Sequence, residues 1–113
     1  MITMITAPYL GYAGMSVEEI AQFKDLLTKA ERGDRSAQEL VAIHYELGTG
    51  TTINLKEAAH WFRSAAGQES LLAQFRLGTC YLNGNGVEKD PTTAAIWLRK
   101  AAIRGHAGAQ IKL

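Results

Sequence analysis

Displaced by 36 residues, the chain overlays on itself. Ala73-Gln74 falls on Ala37-Gln38, Tyr81 on Tyr45, and Gly84 and Gly86 on Gly48 and Gly50. Ala94-Ala95 falls on Ala58-Ala59, Trp97 on Trp61, Arg99 on Arg63, and Ala101-Ala102 on Ala65-Ala66. Those eleven identities fill a window where unrelated sequence gives about two, and self-similarity at a fixed period of about 20 to 50 residues marks a stacked repeat. A single such unit cannot bury its own apolar stripe, so stacking has to do it. The expectation is one repeat domain over residues 16–113, with complete units at about 37–72 and 73–108 and a half unit at each end.

The local signals are helical. Ser16 and Glu19 form a Ser-x-x-Glu capping box, in which hydroxyl and carboxylate each satisfy an orphan amide. Val17, Ile20, Phe23, Leu26 and Leu27 follow at helical spacing down to about Arg32, where Gly33 stops the helix. Gly33 lies two periods before Gly105, so this helix is the back half of a unit. The first complete unit starts near Ser36, with a second capping box expected from Ser36 and Glu39. Its first helix carries Ala37, Leu40, Val41, His44, Tyr45 and Leu47 and ends at Gly48. Asn54 with Glu57 reads as a third box, opening a helix through Ala58, Trp61, Phe62, Ala65 and Ala66. The second unit repeats the plan: Asp90-Pro91 pairs a good N-cap with a good first-turn residue, and the helix runs through Ala94, Trp97, Leu98 and Ala101 to Gly105. A third unit begins at Ala109-Gln110. Alternating alanines and aromatics suit helices that approach closely, with Trp and Tyr filling the wider gaps. On that reading Trp97→Ala costs about 3–5 kcal/mol.

Composition narrows the function. Twelve Lys and Arg against eleven Asp and Glu leave a net charge of +1, without the basic excess of a nucleic-acid binder. No apolar run reaches the length of a membrane span, so no membrane partner is expected and the setting reads as cytoplasmic. The single cysteine, Cys80, allows no internal disulfide. His44, His60 and His106 lack metal-ligand spacing, and no cofactor is implied. His44 stands one period before Cys80, the raw material of an activated nucleophile, but no third group or oxyanion donor accompanies them and no enzyme activity is expected. The loop N-G-N-G-V lacks the Lys-Ser/Thr of a phosphate loop, so its glycines read as helix C-caps. Residues 1–15 are uncharged and broken by Pro8, Gly11 and Gly14. Their M-I-T-M-I-T opening is similar to the β-galactosidase α-peptide leader of cloning vectors. They read either as a vector-derived leader or as a native arm packing Tyr9, Leu10 and Tyr12 on the domain.

The residues Ala73, Gln74, Leu77, Gly78, Tyr81, Gly84, Gly86, Val87 and Asp90, followed by Ala94, Trp97, Lys100, Ala101, Ala102 and Gly105, carry a resemblance. They resemble the Sel1-like repeat, a tetratricopeptide-related helix-turn-helix unit. The first unit departs from that pattern at Val41-Ala42, Thr51, Asn54 and Glu69, so looser or differently angled packing is expected there. The resemblance implies an all-α fold, an α-α superhelix (right-handed solenoid) with the first helix of each unit lining a concave face. It also implies a non-catalytic adaptor or scaffold that holds a peptide or protein partner. A secreted branch of the family adds a cysteine pair per repeat, which Cys80 alone does not match. By analogy with tetratricopeptide grooves, the concave positions are Glu39, Leu40, Ile43, Glu46 and Leu47 from the first unit. The second unit supplies Phe75, Arg76, Thr79, Leu82 and Asn83. Glu39 and Ile43 stand where a tetratricopeptide carboxylate clamp needs Lys and Asn, which argues against that mechanism. The alternative is a structural protein whose groove is covered by its own N-terminal arm or by a second copy, as in a homodimer. Ile96, Ile103 and the Ile111–Leu113 segment, with little expected cover, add a tendency to self-associate.

Overall fold

The computed structural model describes residues 14–112, and the segment 1–13, with Leu113, lies outside the described residues. Within that range every regular element is helical: α1 (Val17–Glu31), α2 (Arg35–Leu47), α3 (Leu55–Gly67), α4 (Leu71–Asn83), α5 (Pro91–Ile103) and α6 (Ala107–Lys112). Each helix packs chiefly on its neighbours in sequence, the quasi-one-dimensional arrangement of an α-solenoid. The pairs α2–α3 and α4–α5 are the complete units. α1 is the second helix of an earlier half unit and α6 the first helix of a later one.

Capping explains where the helices begin. The Ser16–Glu19 box forms in full, with Glu19 N–H donating to Ser16 Oγ at 3.0 Å and Ser16 N–H to Glu19 Oε1 at 2.8 Å. The Ser36–Glu39 box does not form, because α2 starts earlier, at Asp34, whose carboxylate accepts from Ala37 N–H at 2.9 Å. One period on, Ser70 accepts from Ala73 N–H at 3.0 Å, and another period on His106 Nδ1 accepts from Ala109 N–H at 3.2 Å. Three different side chains thus satisfy the same orphan amide. Asn54 caps α3 through Glu57 N–H, but only that half of the expected box is made. Asn54's own N–H is already bonded to the Tyr45 carbonyl, and Asp90's in the same way to Tyr81. Asp90 is held below the usual carboxylate range by the Thr93 hydroxyl, then by the Thr93 amide.

The two intra-unit loops share one backbone. Gly48 and Gly84 end α2 and α4 in the left-handed region, with φ 75° and 74°, and Asn54 and Asp90 both sit at φ −149°. The departures at Thr51 and Asn54 therefore leave the first loop's geometry unchanged. Gly50 and Gly86 do more than turn the chain. A Cβ on Gly50 would overlap the Glu19 carbonyl of α1, and one on Gly86 would overlap the Leu55 carbonyl of α3. Each loop lies directly on the start of the preceding second helix, and only glycine permits that approach.

The core forms three linked clusters. The central one joins Ala42, Ala58, Ala59, Phe62, Ala65, Ala66, Ala73, Leu77 and Cys80. Phe23, Ala30, Ala37 and Val41 form the N-terminal cluster, and Leu98, Ala101 and Ala109 the C-terminal one. Phe62, Leu77 and Val41 are the largest fully buried side chains of the described residues. Trp61 and Trp97 are only half buried against these clusters, so the full cavity cost expected at Trp97 belongs instead to Phe62.

Candidate interaction surface

The face away from the core on α2 and α4 is built by helical spacing. In α2, Ala37, Gln38, Val41 and Ala42 are buried, which turns Leu40, Ile43 and Leu47 outward at intervals of three and four. Leu47 is 65% exposed and Leu40 44%, while Ile43 is half buried against the central cluster. Ile53, also exposed, rests on Gly48 at the C-terminal end of that row. On α4 the equivalent row is polar, with Arg76, Thr79 and Asn83. Thr79 returns its hydroxyl to the Phe75 carbonyl. The rows are joined where Arg76 Nη1 meets Glu46 Oε1 at 2.7 Å. Glu39 is half buried at the same edge of α2.

Phe75 and Leu82 are engaged elsewhere. Phe75 stacks on His106 with ring centroids 4.2 Å apart, and both Phe75 and Leu82 pack against the C-terminal cluster. Phe75 thereby joins α4 to the start of α6, and Leu82 joins α4 to the C-terminal cluster, uses that no period-36 comparison reveals because their counterparts one unit earlier are Glu39 and Glu46.

Successive units are tied by a polar staple that sequence reasoning missed. Gln68 Nε2 donates to the Gly33 carbonyl at 3.0 Å and to Gln38 Oε1 at 2.9 Å. One period on, Arg104 Nη1 donates to the Glu69 carbonyl at 2.6 Å and to Gln74 Oε1 at 3.2 Å. The buried glutamine in the repeated Ala-Gln was the available signal, since a buried amide needs partners.

His44 and Cys80 do not form a pair. His44 Nδ1 donates to the Thr49 carbonyl at 2.9 Å and its ring stacks on Phe23. Burial, then the Glu46 charge, pushes the Cys80 thiol up to about 11, the opposite of an activated nucleophile. His60 meets the edge of Trp61. Among the described residues no group of three or more His, Cys, Asp or Glu side chains is placed to hold a metal ion, and no helix is long and apolar enough to cross a membrane.

The family model of the Sel1 repeat matches residues 35–70 and 71–106, the two windows that open on α2 and α4. The chain belongs to the Sel1 repeat family. Sel1 repeats generally mediate protein–protein interaction and are generally non-catalytic. Among solved structures, the chain is similar to a protective antigen present in uropathogenic Escherichia coli strains that displays an SLR fold (42% identity, TM-score 0.73). It is also similar to a Sel1 repeat protein from Oxalobacter formigenes (35%, 0.76) and to cysteine-rich protein B of Helicobacter pylori (25%, 0.75). These matches cover 78%, 84% and 82% of this chain. They span 19%, 38% and 70% of the other chains, so the Sel1 units here correspond to a fraction of the first two.

Proposed function

We infer that this chain is a non-catalytic protein–protein interaction module that holds a peptide or protein partner on the face formed by α2 and α4. The observation that carries the reading is the row Leu40–Ile43–Leu47, in which Leu40 and Leu47 are exposed and Ile43 is half buried between them, beside the polar row Arg76–Thr79–Asn83. An exposed apolar row flanked by polar groups suits an amphipathic segment, whose apolar anchors repeat at three- and four-residue intervals. Glu39 and Glu46 flank the face, while Phe75 and Leu82 are half buried against the C-terminal cluster at the far side of α4 from the α2 row. The burial of Cys80, which raises its thiol, supports a structural rather than nucleophilic role, and the lone cysteine suits a cytoplasmic setting.

The test compares wild type with a Leu40→Glu, Leu47→Glu variant in capture from lysate of the source organism, with helicity followed by circular dichroism. The expected result is one or a few proteins retained by wild type and lost by the equally folded variant. Identical capture by both would overturn the assignment of this face.

A second reading, a groove covered by the chain's own N-terminal arm, draws on one observation. Gly50 touches Glu19, so the chain enters α1 beside the loop that follows Leu47, at one end of the apolar row. Deleting residues 1–13 would then increase binding of an apolar dye in wild type but not in the Leu40→Glu, Leu47→Glu variant.

A further inference from the structure

A cleft of about 390 Å³ lies between the C-terminal ends of α3 and α5, with Ala66, Trp97 and Ile103 as its apolar lining. Glu69, Gln74, Lys100 and Arg104 supply its polar side. The repeat contains its own control for this cleft. The equivalent positions one unit earlier are Gly33, Ser64, Gly67 and Gln68 in place of Glu69, Lys100, Ile103 and Arg104. Gln68 makes the same inter-unit staple as Arg104 without a charge. The guanidinium, the ammonium and the isoleucine are therefore surplus to what stacking needs.

The donors of the cleft are partly unused. Arg104 spends Nη1 on the Glu69 carbonyl and on Gln74, which orients the guanidinium while leaving Nε and Nη2 open. Since Arg104 can only donate, the Gln74 atom it meets is the oxygen, and the amide nitrogen is left over. Gln74 is only 4% exposed, yet among the described residues its Nε2 donates to no protein acceptor. Gln38 and Gln110, its counterparts, donate theirs to the carbonyls of Ala30 and Ala102. Lys100 lies over the Trp97 ring, 4.8 Å from its centroid, a placement that keeps the ammonium at the cleft wall. Glu69, at φ +68° in a place where Gly33 and Gly105 occupy the other units, makes no ion pair among the described residues.

The geometry points to a binding site for an acidic peptide segment in which one Asp or Glu side chain lies next to a bulky apolar residue. The free donors of Arg104, Gln74 and Lys100 receive the carboxylate, and Trp97 with the 79%-exposed Ile103 receives the apolar neighbour. The volume falls within the range of small-ligand sites, about 300–1,000 Å³, and suits one or two side chains. The Glu69 carboxylate and the negative ends of two helices oppose a second negative charge, so a singly charged carboxylate is favoured over a phosphate dianion. This site shares no residue with the α2–α4 face and stands or falls separately from it.

The experiment titrates the full chain, carrying Trp61→Phe so that fluorescence reports Trp97 alone, with the capped peptide acetyl-Gly-Leu-Asp-Leu-Gly-amide. Comparison peptides carry Asn or phosphoserine in place of Asp, and a further one, acetyl-Gly-Leu-Leu, ends in a free carboxylate. The expected result is saturable binding of the Asp peptide that weakens at high salt and at least about a tenfold loss with Asn, as follows from removing a charge-assisted contact. Lys100→Ser and Arg104→Gln, which restore the residues of the first unit and keep the staple, should weaken binding by a similar factor without changing the melting temperature. Leu40→Glu, Leu47→Glu should leave it unchanged. No binding of the Asp peptide, equal binding of the Asn peptide, tighter binding of the phosphoserine peptide, or binding of the free-carboxylate peptide alone would each overturn the proposal.

Discussion

Glu69 sits in the left-handed region with φ 68°, the only non-glycine among the described residues with positive φ. For an L-residue with a Cβ that conformation costs about 1–2 kcal/mol, of which glycine's extra freedom in the unfolded chain offsets about half. Glu69→Gly should therefore stabilise the fold by about 0.5–1 kcal/mol, measurable by urea denaturation. An unchanged or lower midpoint would mean that the Glu69 side chain contributes packing its exposure does not reveal. Cys80 offers a second test at this scale. Its thiol is raised from an ordinary 9.0 to about 11, chiefly by burial. A raised folded pKa means the unfolded chain loses its proton first. The stability contributed by keeping the buried thiol protonated is therefore fully present below pH about 9 and is lost as pH rises toward about 11. Cys80→Ala should flatten that alkaline decline, and native Cys80 should react with a thiol reagent only as fast as the helix pair opens. Rapid stoichiometric labelling of native protein at pH 8 would contradict the burial argument.

At the scale of helices and loops, two glycines of similar φ should behave differently. Gly86 presses on the Leu55 carbonyl, whereas a Cβ at Gly105 meets nothing within 4 Å. Gly86→Ala combines backbone strain with overlap and should cost about 3 kcal/mol or more, Gly105→Ala only about 1 kcal/mol. Equal costs would show that the loop can lift off α3. Phe62, fully buried, should lose about 3–5 kcal/mol on truncation to alanine, and the half-buried Trp97 clearly less. Much of this level was legible in the sequence. Apolar spacing and the period located the complete helices, and Ser16, Asn54 and Asp90 were readable as caps because short-range capping needs only local residues. The start of α2 was misread because Ser36 matched a motif while Asp34, two residues earlier, held the geometrically correct place. Phe75 looked like groove lining because its neighbour across space, His106, is supplied by the next unit. The staple and the cleft were invisible for a related reason: each joins residues about 30 apart or more, and what matters there is where equivalent positions differ. The two rows of the α2–α4 face follow from helical spacing alone, whereas their exposure depends on how successive units stack.

For the molecule as a whole, stability in a solenoid is a sum over units and the interfaces between them, and the clusters are unevenly supplied. The central cluster joins α2, α3 and α4 through nine buried residues, with the staples and the Arg76–Glu46 pair crossing the same region. α6 buries only Ala109 and is held by the Phe75–His106 stack and by Gln110 Nε2 on the Ala102 carbonyl. Local opening follows such differences in buried contact. Amide exchange should therefore be slowest in α3 and α4, intermediate in α1 and α5, and fastest in α6. Phe75→Ala should accelerate exchange in α6 while leaving α1 unaffected, because the effect of a lost interface reaches only its neighbours in the stack. A uniform loss of protection across all six helices in that variant would show that the chain opens as one cooperative body, and the nearest-neighbour picture would have to be abandoned.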